Sequence, residues 1–397
     1  MQAQYWSTRL VIGARASGAA RVEPAATAAA SSTSRTPAFD AAATERRVYL
    51  AGPLTAMQSP GGGEIQMLCL ARAMRELGIA ARPWRPWEDR LQPGDCLHLF
   101  GSLPEHLDLV AAARRQQVRV VLSTIAWFEL ANCWREPVRW PRRLAAGARF
   151  VARAAFPRIP SWRRKLYHSV DLLLPNSKAE ACQLMRYFGV PAERVRVVPN
   201  GAHERFAQAR PEPFRQWFGL EDFVLYPGRI EPRKNQLEFL RAMQGSPLPI
   251  VVLGDPVPGH EAYARACRAA AGPQVHFLGR LDHDDPLLAS AYAACRCLVL
   301  ASWFETPGLV ALEAGMCGTP LVLPTGGCAR EYFGPYAHYV RADDRASIRQ
   351  GVEAAFAGCR NPDLAQHVRE NFSWRRAAQI TAETYISTEH QAHQVPS

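Results

Sequence analysis

A chain of 397 residues is too long for one ordinary core and points to two domains. Its 48% apolar residues suit a globular protein, and no apolar run approaches the roughly 18 residues of a membrane span. The ten cysteines are scattered without CxxC or zinc spacing, which argues against a disulfide framework or zinc module and for thiols in a reducing compartment.

Residues 1–45 are rich in Ala, Ser and Thr without apolar periodicity, so a disordered tail is expected there rather than a targeting segment. From Arg46 the pattern becomes a strand at 48–51, a loop at Gly61-Gly62-Gly63 and an amphipathic helix over 64–77 ended by Gly78. Buried strands are expected at 96–100 and 118–123. Residues 137–170 then hold nine of the cations behind the net charge of +11 (Arg139, Arg142, Arg143, Arg149, Arg153, Arg158, Arg163, Arg164 and Lys165) and no acid. Such a segment attracts anionic lipid or a phosphate-bearing substrate, and Trp140, Phe150, Phe156 and Trp162 suit a bilayer interface. A solvated arginine-rich helix face is the alternative. Nucleic acid is not expected as a partner, because no reading module accompanies the patch.

A strand at 170–175 runs into Asn176-Ser177, which cap a helix over 178–188. Another at 195–198 ends in the turn Pro199-Asn200-Gly201. After a polar link at 203–215 a second series begins, with strands at 223–227, 249–253, 275–278, 297–300 and 320–323 and helices between them. The fold class is therefore α/β, with two doubly wound Rossmann-like parallel-sheet domains and a cleft between them. Ligands of such sheets bind at the carboxyl ends of the strands.

Chemistry-bearing residues follow those strand ends. Arg229 and Lys234 come after strand 223–227. Arg binds phosphate oxygens bidentately and Lys acts as a mobile point charge, so both suit a diphosphate whose negative charge grows as a bond to it breaks. A surface pair serving Glu231 or Glu238 is the alternative. Farther on, Glu305 and Glu313 flank Pro307-Gly308, where a helix can start with free amides at Gly308, Leu309 and Val310 directed at an anion. Carboxylates accept hydrogen bonds from sugar or ribose hydroxyls, although structural salt bridging is an alternative for Glu313. Gly62 and Gly63 let backbone approach a ligand closely. Cations, helix amides and carboxylates in one segment make a nucleotide sugar the expected ligand. Asp284-Asp285 and Asp343-Asp344 read as solvated turns, and no acid pair is placed for a metal.

These motifs resemble the retaining glycosyltransferases of the family-4 type, the group 1 enzymes of the GT-B fold. The resemblance rests on GGGEIQMLCLARAMRELGI, SVDLLLPNSKAEA, VRVVPNGA, LYPGRIEPRKN, FETPGLVALEAGMCGTPLV and FSWRRAAQITAETY, and spans roughly residues 46–388. It implies an acceptor-side domain over 46–205, a nucleotide-sugar-binding domain over 206–370, a helix over 371–388 that crosses back to the first domain, and a tail at 389–397. It also implies roles. Arg229 and Lys234 would hold the donor diphosphate with the Gly308, Leu309 and Val310 amides. Glu305 would contact the transferred sugar, Glu313 the ribose, and Arg280-Leu281 the base. Gly62 and Gly63 would border the phosphate and the acceptor. Retention would proceed by front-face attack, with no cofactor and no metal.

Two departures from the family pattern stand out. Glu305-Thr306-Pro307-Gly308 lacks an aromatic that relatives often carry. Ala126 stands where many carry a histidine near the donor phosphate. His98 and His168 do not replace it by position, His98 reading as a satisfied core histidine. The expected function is transfer of a hexose-type sugar from a nucleoside diphosphate to a glycan or lipid-linked glycan, in the cytoplasm and at the inner face of the membrane. A degenerate GT-B protein that binds nucleotide sugar or glycan without catalysis is the alternative. An epimerase or phosphorylase would need acids, histidines or a cofactor lysine that the chain does not present.

Overall fold

The computed structural model describes residues 47–386, apart from residues 55, 57, 59 and 136–139. The expected tails at 1–45 and 389–397, and Arg139 of the basic segment, lie outside the described residues.

Short apolar runs set the architecture. VYLA, CLHLF, VLYP and IVVL are buried at every position, as strands covered on both faces must be. Five strands form one sheet: β1 Val48–Ala51, β2 Ala81–Pro83, β3 Cys96–Phe100, β4 Arg119–Ser123 and β5 Leu172–Leu173, in the order β2-β1-β3-β4-β5. Six form the other: β6 Val224–Pro227, β7 Ile250–Leu253, β8 Val275–Gly279, β9 Cys297–Val299, β10 Leu321–Pro324 and β11 Ala337–Val340, in the order β11-β10-β9-β6-β7-β8. All pairings are parallel. The order reverses between β1 and β3 and again between β6 and β9, so each sheet has a switch point at which loops diverge and leave a crevice.

Three local expectations change. The strand expected at 195–198 reduces to a single bridge between Val195 and Leu173, because β5 offers only two paired residues. The edge strands β2 and β11 were not expected. Gly62 and Gly63 are not loop residues but open the helix Gly62–Glu76, where the Gly61 N–H donates to Glu64 Oε2 at 2.8 Å, the glutamate half of a capping box.

The helix Trp374–Ile386 returns to the first sheet, burying Trp374, Ala378 and Tyr385 among Leu50, Met67 and Leu70. His98 on β3 ties it down: Nδ1 lies 2.7 Å from the Tyr385 hydroxyl and Nε2 2.9 Å from Ser123 Oγ. Arg119 adds hydrogen bonds to the Tyr385 and Thr384 carbonyls at 2.6 and 3.0 Å. Where this segment crosses Asn200-Gly201, the chains nearly touch. A Cβ on Gly201 would sit 2.3 Å from the Ser373 carbonyl carbon, so only glycine fits there.

The basic segment forms the helices Trp140–Ala155 and Trp162–Ser169. Phe150 turns inward onto Tyr187 at 5.2 Å, and Trp162 lies beneath Arg163, so both of these expected surface aromatics are only partly exposed. Phe156 is exposed as expected, at 66%, and on the first of these helices the expected Trp140 is exposed together with Leu144 and Val151, at 70%, 46% and 55%. At 3.6 residues per turn these three fall within about 40° of one another on the helix. Among the described residues no helix is long and apolar enough to cross a membrane.

Candidate active site

The loop after β6 is held rigidly from three sides. The Asn235 side chain, buried and with a left-handed backbone, donates to the Ala301 and Ala342 carbonyls at 2.9 and 2.8 Å. Gln236 donates to the Arg229 carbonyl at 2.8 Å, and the Tyr226 hydroxyl donates to the Lys234 carbonyl. This frame directs Lys234 toward the loop after β9, where its Nζ lies 2.6 Å from Glu305 Oε1. Ser302 Oγ donates to the same oxygen at 2.6 Å. Burial works to raise the Glu305 carboxyl, yet Lys234, then Arg233 and Ser302, hold it below the usual carboxylate range. Burial also lowers Lys234, and Glu305 offsets part of that.

Lys234 therefore serves neither Glu231 nor Glu238. Arg229 lies 3.7 Å from Glu231 Oε1 and reaches across to the first sheet's side, where a Cβ on Gly61 would sit 2.9 Å from its guanidinium.

The helix Leu309–Met316 starts directly after Gly308, whose Cβ position lies 3.3 Å from Glu305 Oε2. The first-turn amides of a helix have no intrahelical acceptor, so those near Gly308, Leu309 and Val310 open toward the same place as Lys234 and Glu305. Glu313 is buried inside this helix and already has protein partners on both oxygens. His283 Nε2 lies 2.9 Å from Oε1, and the Tyr292 hydroxyl donates to Oε2 at 3.0 Å. Arg205 donates to His283 Nδ1 at 3.2 Å, so Nε2 carries the proton that Glu313 accepts. Asp284, expected as a solvated turn, receives Arg205 at 2.8 Å and Arg72 from the first half at 3.3 Å. Arg280 pairs with Asp282 at 3.4 Å, and Leu281 packs on the second sheet's core.

A cleft of about 370 Å³ lies at the first sheet's switch point, and of the residues above Arg229 reaches its wall. Gly52 after β1, Gly62 and Gly63 of the helix, Gly101 after β3, residues 125–128 after β4, Arg163 and Arg229 line it. A Cβ on Gly62 would meet nothing within 4 Å, so the absent side chain leaves room for a ligand rather than for protein. Ala126 does sit in this wall, without an imidazole. His98 and His168 are engaged elsewhere, His168 Nε2 lying 3.0 Å from the Phe188 carbonyl oxygen.

A residue not singled out by the sequence shapes this wall. Glu180, fully buried in the first turn of the helix Lys178–Phe188, accepts hydrogen bonds from Thr124 Oγ1, from the Ala126 N–H at 2.8 Å and from the Asn176 N–H at 2.9 Å. Between Thr124 and Ala126, Ile125 has a φ of 45°, a conformation β-branched residues avoid. Burial pushes the Glu180 carboxyl up to about 7 against those three donors. The cap at Asn176-Ser177 was legible in the sequence, and Ser177 Oγ does accept the Glu180 N–H at 3.0 Å, but Thr124 and Ala126 as distant partners of the Glu180 carboxylate were not.

The family description "Glycosyl transferases group 1" matches residues 213–371, and "Glycosyltransferase Family 4" matches residues 60–205. The chain is similar to a D-inositol 3-phosphate glycosyltransferase of Pseudarthrobacter chlorophenolicus, 27% identical over 412 residues, covering 89% of this chain and 98% of the relative. Its fold resembles that of sucrose-phosphate synthase from Thermosynechococcus elongatus, with a TM-score of 0.68 at 17% identity over 87% of this chain and all of that one. It also resembles Anabaena HepE crystallised with UDP-glucose, with a TM-score of 0.63 at 18% identity over 86% of this chain and 99% of that one.

Proposed function

The chain belongs to the group 1 glycosyltransferases of the GT-B fold, and on that premise we propose that it moves a hexose-type sugar from a nucleoside diphosphate to a glycan or lipid-linked glycan, with retention of configuration and without a metal or cofactor. The observation that carries this reading is the Lys234–Glu305 contact beside the start of the helix Leu309–Met316, at the second sheet's switch point. A lysine ammonium has three donors. One serves Glu305, leaving two for a diphosphate that also meets the helix amides and Arg229. HepE, with the same fold, was crystallised with UDP-glucose, which supports a nucleotide sugar as donor.

In this reading Glu305 Oε2, to which no described residue donates, takes hydroxyls of the transferred sugar. The ribose shares Glu313 with His283 or displaces it. The base lies toward Arg280 and Leu281. The acceptor enters the cleft past Gly62 and Gly63. Its hydroxyl oxygen bonds to the anomeric carbon on the face from which the phosphate oxygen departs, and its proton goes to that oxygen. Lys234 and Arg229 stabilise the charge left on the diphosphate. Removal of one such donor costs about 3 kcal/mol of transition-state stabilisation.

The exposed stripe of Trp140, Leu144 and Val151, with arginines around the helix, supports seating of the first half on an anionic membrane, in keeping with a cytoplasmic enzyme acting on a lipid-linked acceptor.

The test is donor hydrolysis against UDP-, GDP-, ADP- and dTDP-sugars, with and without chelator, alongside Lys234→Ala and Glu313→Ala. Chelator-insensitive release of one nucleoside diphosphate, lost in both variants, is expected. Ala126 favours one second reading, a binding protein of the same fold without catalysis. Donor binding with no turnover, even with added glycan acceptors, would establish that reading instead.

A further inference from the structure

We propose that the cavity between the helices Trp140–Ala155 and Trp162–Ser169 is a binding site for a phosphate group, held by Arg149, Arg153 and Arg163. This site rests on the proposed reading of the neighbouring cleft as the acceptor's, because Arg163 lines both.

The cavity measures about 430 Å³, and its wall holds these three arginines and no carboxylate. No acid occurs anywhere from residue 137 to residue 170 to neutralise them. Among the described residues none of the three has an ion-pair partner. The Arg153 guanidinium lies 5.1 Å from the Phe188 ring centre, and the Arg163 guanidinium 4.3 Å from that of Trp162. Stacking occupies the flat face of a guanidinium and leaves its edge donors for another group. Arg153 Nε, like Arg143 Nε and Arg164 Nε on the same two helices, is buried without a hydrogen-bond partner among the described residues. Burial, and then the neighbouring Arg163 and Arg149, disfavour the charged form of Arg153. Three like charges at a partly desolvated cavity are unfavourable alone and favourable around a multiply charged anion. Guanidinium forks match the oxygens of a phosphate in both geometry and charge.

The cavity adjoins the cleft through Arg163. A phosphate seated in it can belong to the molecule whose hydroxyl reaches the donor sugar, or to the headgroup of a surrounding lipid. The chemistry is the same, and the test separates the sources.

Pyrophosphate is titrated calorimetrically into the full chain and into four variants, with thermal unfolding as the check on folding. Arg149→Gln and Arg153→Gln are each expected to weaken binding about tenfold, the loss of a charged hydrogen bond. Arg142→Gln, on the same helix but outside the cavity, is expected to leave it unchanged. Arg149 is exposed, so its variant guards against a folding defect in Arg153→Gln. Equal weakening by Arg142→Gln, no effect of the cavity variants, or no binding at all would overturn the site. Binding lost only in Lys234→Ala would also overturn it while leaving the donor reading intact. Loss in the cavity variants with none in Lys234→Ala would support the site and count against that donor reading. Vesicles of equimolar phosphatidylglycerol and phosphatidylcholine then name the source. A loss of vesicle binding in the cavity variants no greater than that of Arg142→Gln assigns the phosphate to the acceptor, and a larger loss assigns it to a lipid headgroup.

Discussion

Lys234 Nζ lies 2.6 Å from Glu305 Oε1, with the Glu305 side chain buried and that of Lys234 only 12% exposed. A pair of this kind is expensive to break from one side, because the remaining charge stays desolvated. Lys234→Met or Glu305→Leu alone is expected to cost about 3 kcal/mol in urea unfolding. The double variant should recover most of that loss, because two apolar residues replace two charges. Transfer activity should stay lost in all three. Restored activity in the double variant would separate the pair from the chemistry.

Glu180 and His98 oppose each other in their effect on acid stability. Burial depresses His98 from 6.5 to about 3, so the unfolded chain binds the extra proton and stability falls as pH drops below 6.5. Burial raises Glu180 from 4.5 to about 7, so the folded chain binds the extra proton and stability falls as pH rises from 4.5 to 7. Between 4.5 and 6.5 the two slopes cancel. Glu180→Gln removes one of them, so its stability relative to the parent should rise with pH by about 1.4 kcal/mol per pH unit over that window. Urea unfolding at closely spaced pH values reads the difference directly. A constant offset would show that Glu180 keeps its ordinary titration.

The helix Lys178–Phe188 in the first half is capped by an acid from the second. Glu331 accepts the Lys178 and Ala179 N–H groups, each at 2.8 Å. Beside it the Tyr332 hydroxyl accepts the Asn200 N–H at 3.0 Å and donates to the Asn176 carbonyl at 2.6 Å. Glu331→Ala is expected to cost about 1 kcal/mol, the usual worth of a cap. Glu331→Gln should lose about half of that, since one amide oxygen can satisfy only one of the two donors. Chemical unfolding of the two variants checks the order.

What the sequence made legible follows from burial. The central strands read as apolar runs because both faces are covered. The two it did not reveal are edge strands, ARP at Ala81–Pro83 and AHYV at Ala337–Val340, which are partly exposed and carry no such run. Proline is tolerated at such an edge. In the site, Lys234 and Glu305 stood out by their place after strands. Their contact did not, because 71 residues separate them. The resemblance to the family drew attention to Ala126 for what it lacks. Its backbone matters to the fold for what it donates, a hydrogen bond to a glutamate 54 residues away. His283 escaped notice for the same reason: nothing local in Asp282-His283-Asp284 points to Glu313, 30 residues on.

The exposed stripe on the helix Trp140–Ala155 gives the proposed membrane contact its sharpest test. Trp140, Leu144 and Val151 share one side, while Phe150 and Arg153 turn to Tyr187 and Phe188 of the neighbouring helix. A charge placed on the stripe should therefore disturb membrane contact without disturbing the fold. Leu144→Glu and Val151→Glu are each expected to abolish binding to phosphatidylglycerol vesicles and to shift thermal unfolding little. Arg142→Gln should weaken the same binding by about 1 kcal/mol, the worth of one cation near an anionic surface. That loss should shrink as salt rises, whereas the effect of the glutamates should persist, because screening acts on the arginine's attraction and not on apolar insertion. Vesicle sedimentation across a salt series distinguishes the two. Glutamate variants that still sediment would show the arginines acting alone, as a solvated basic face.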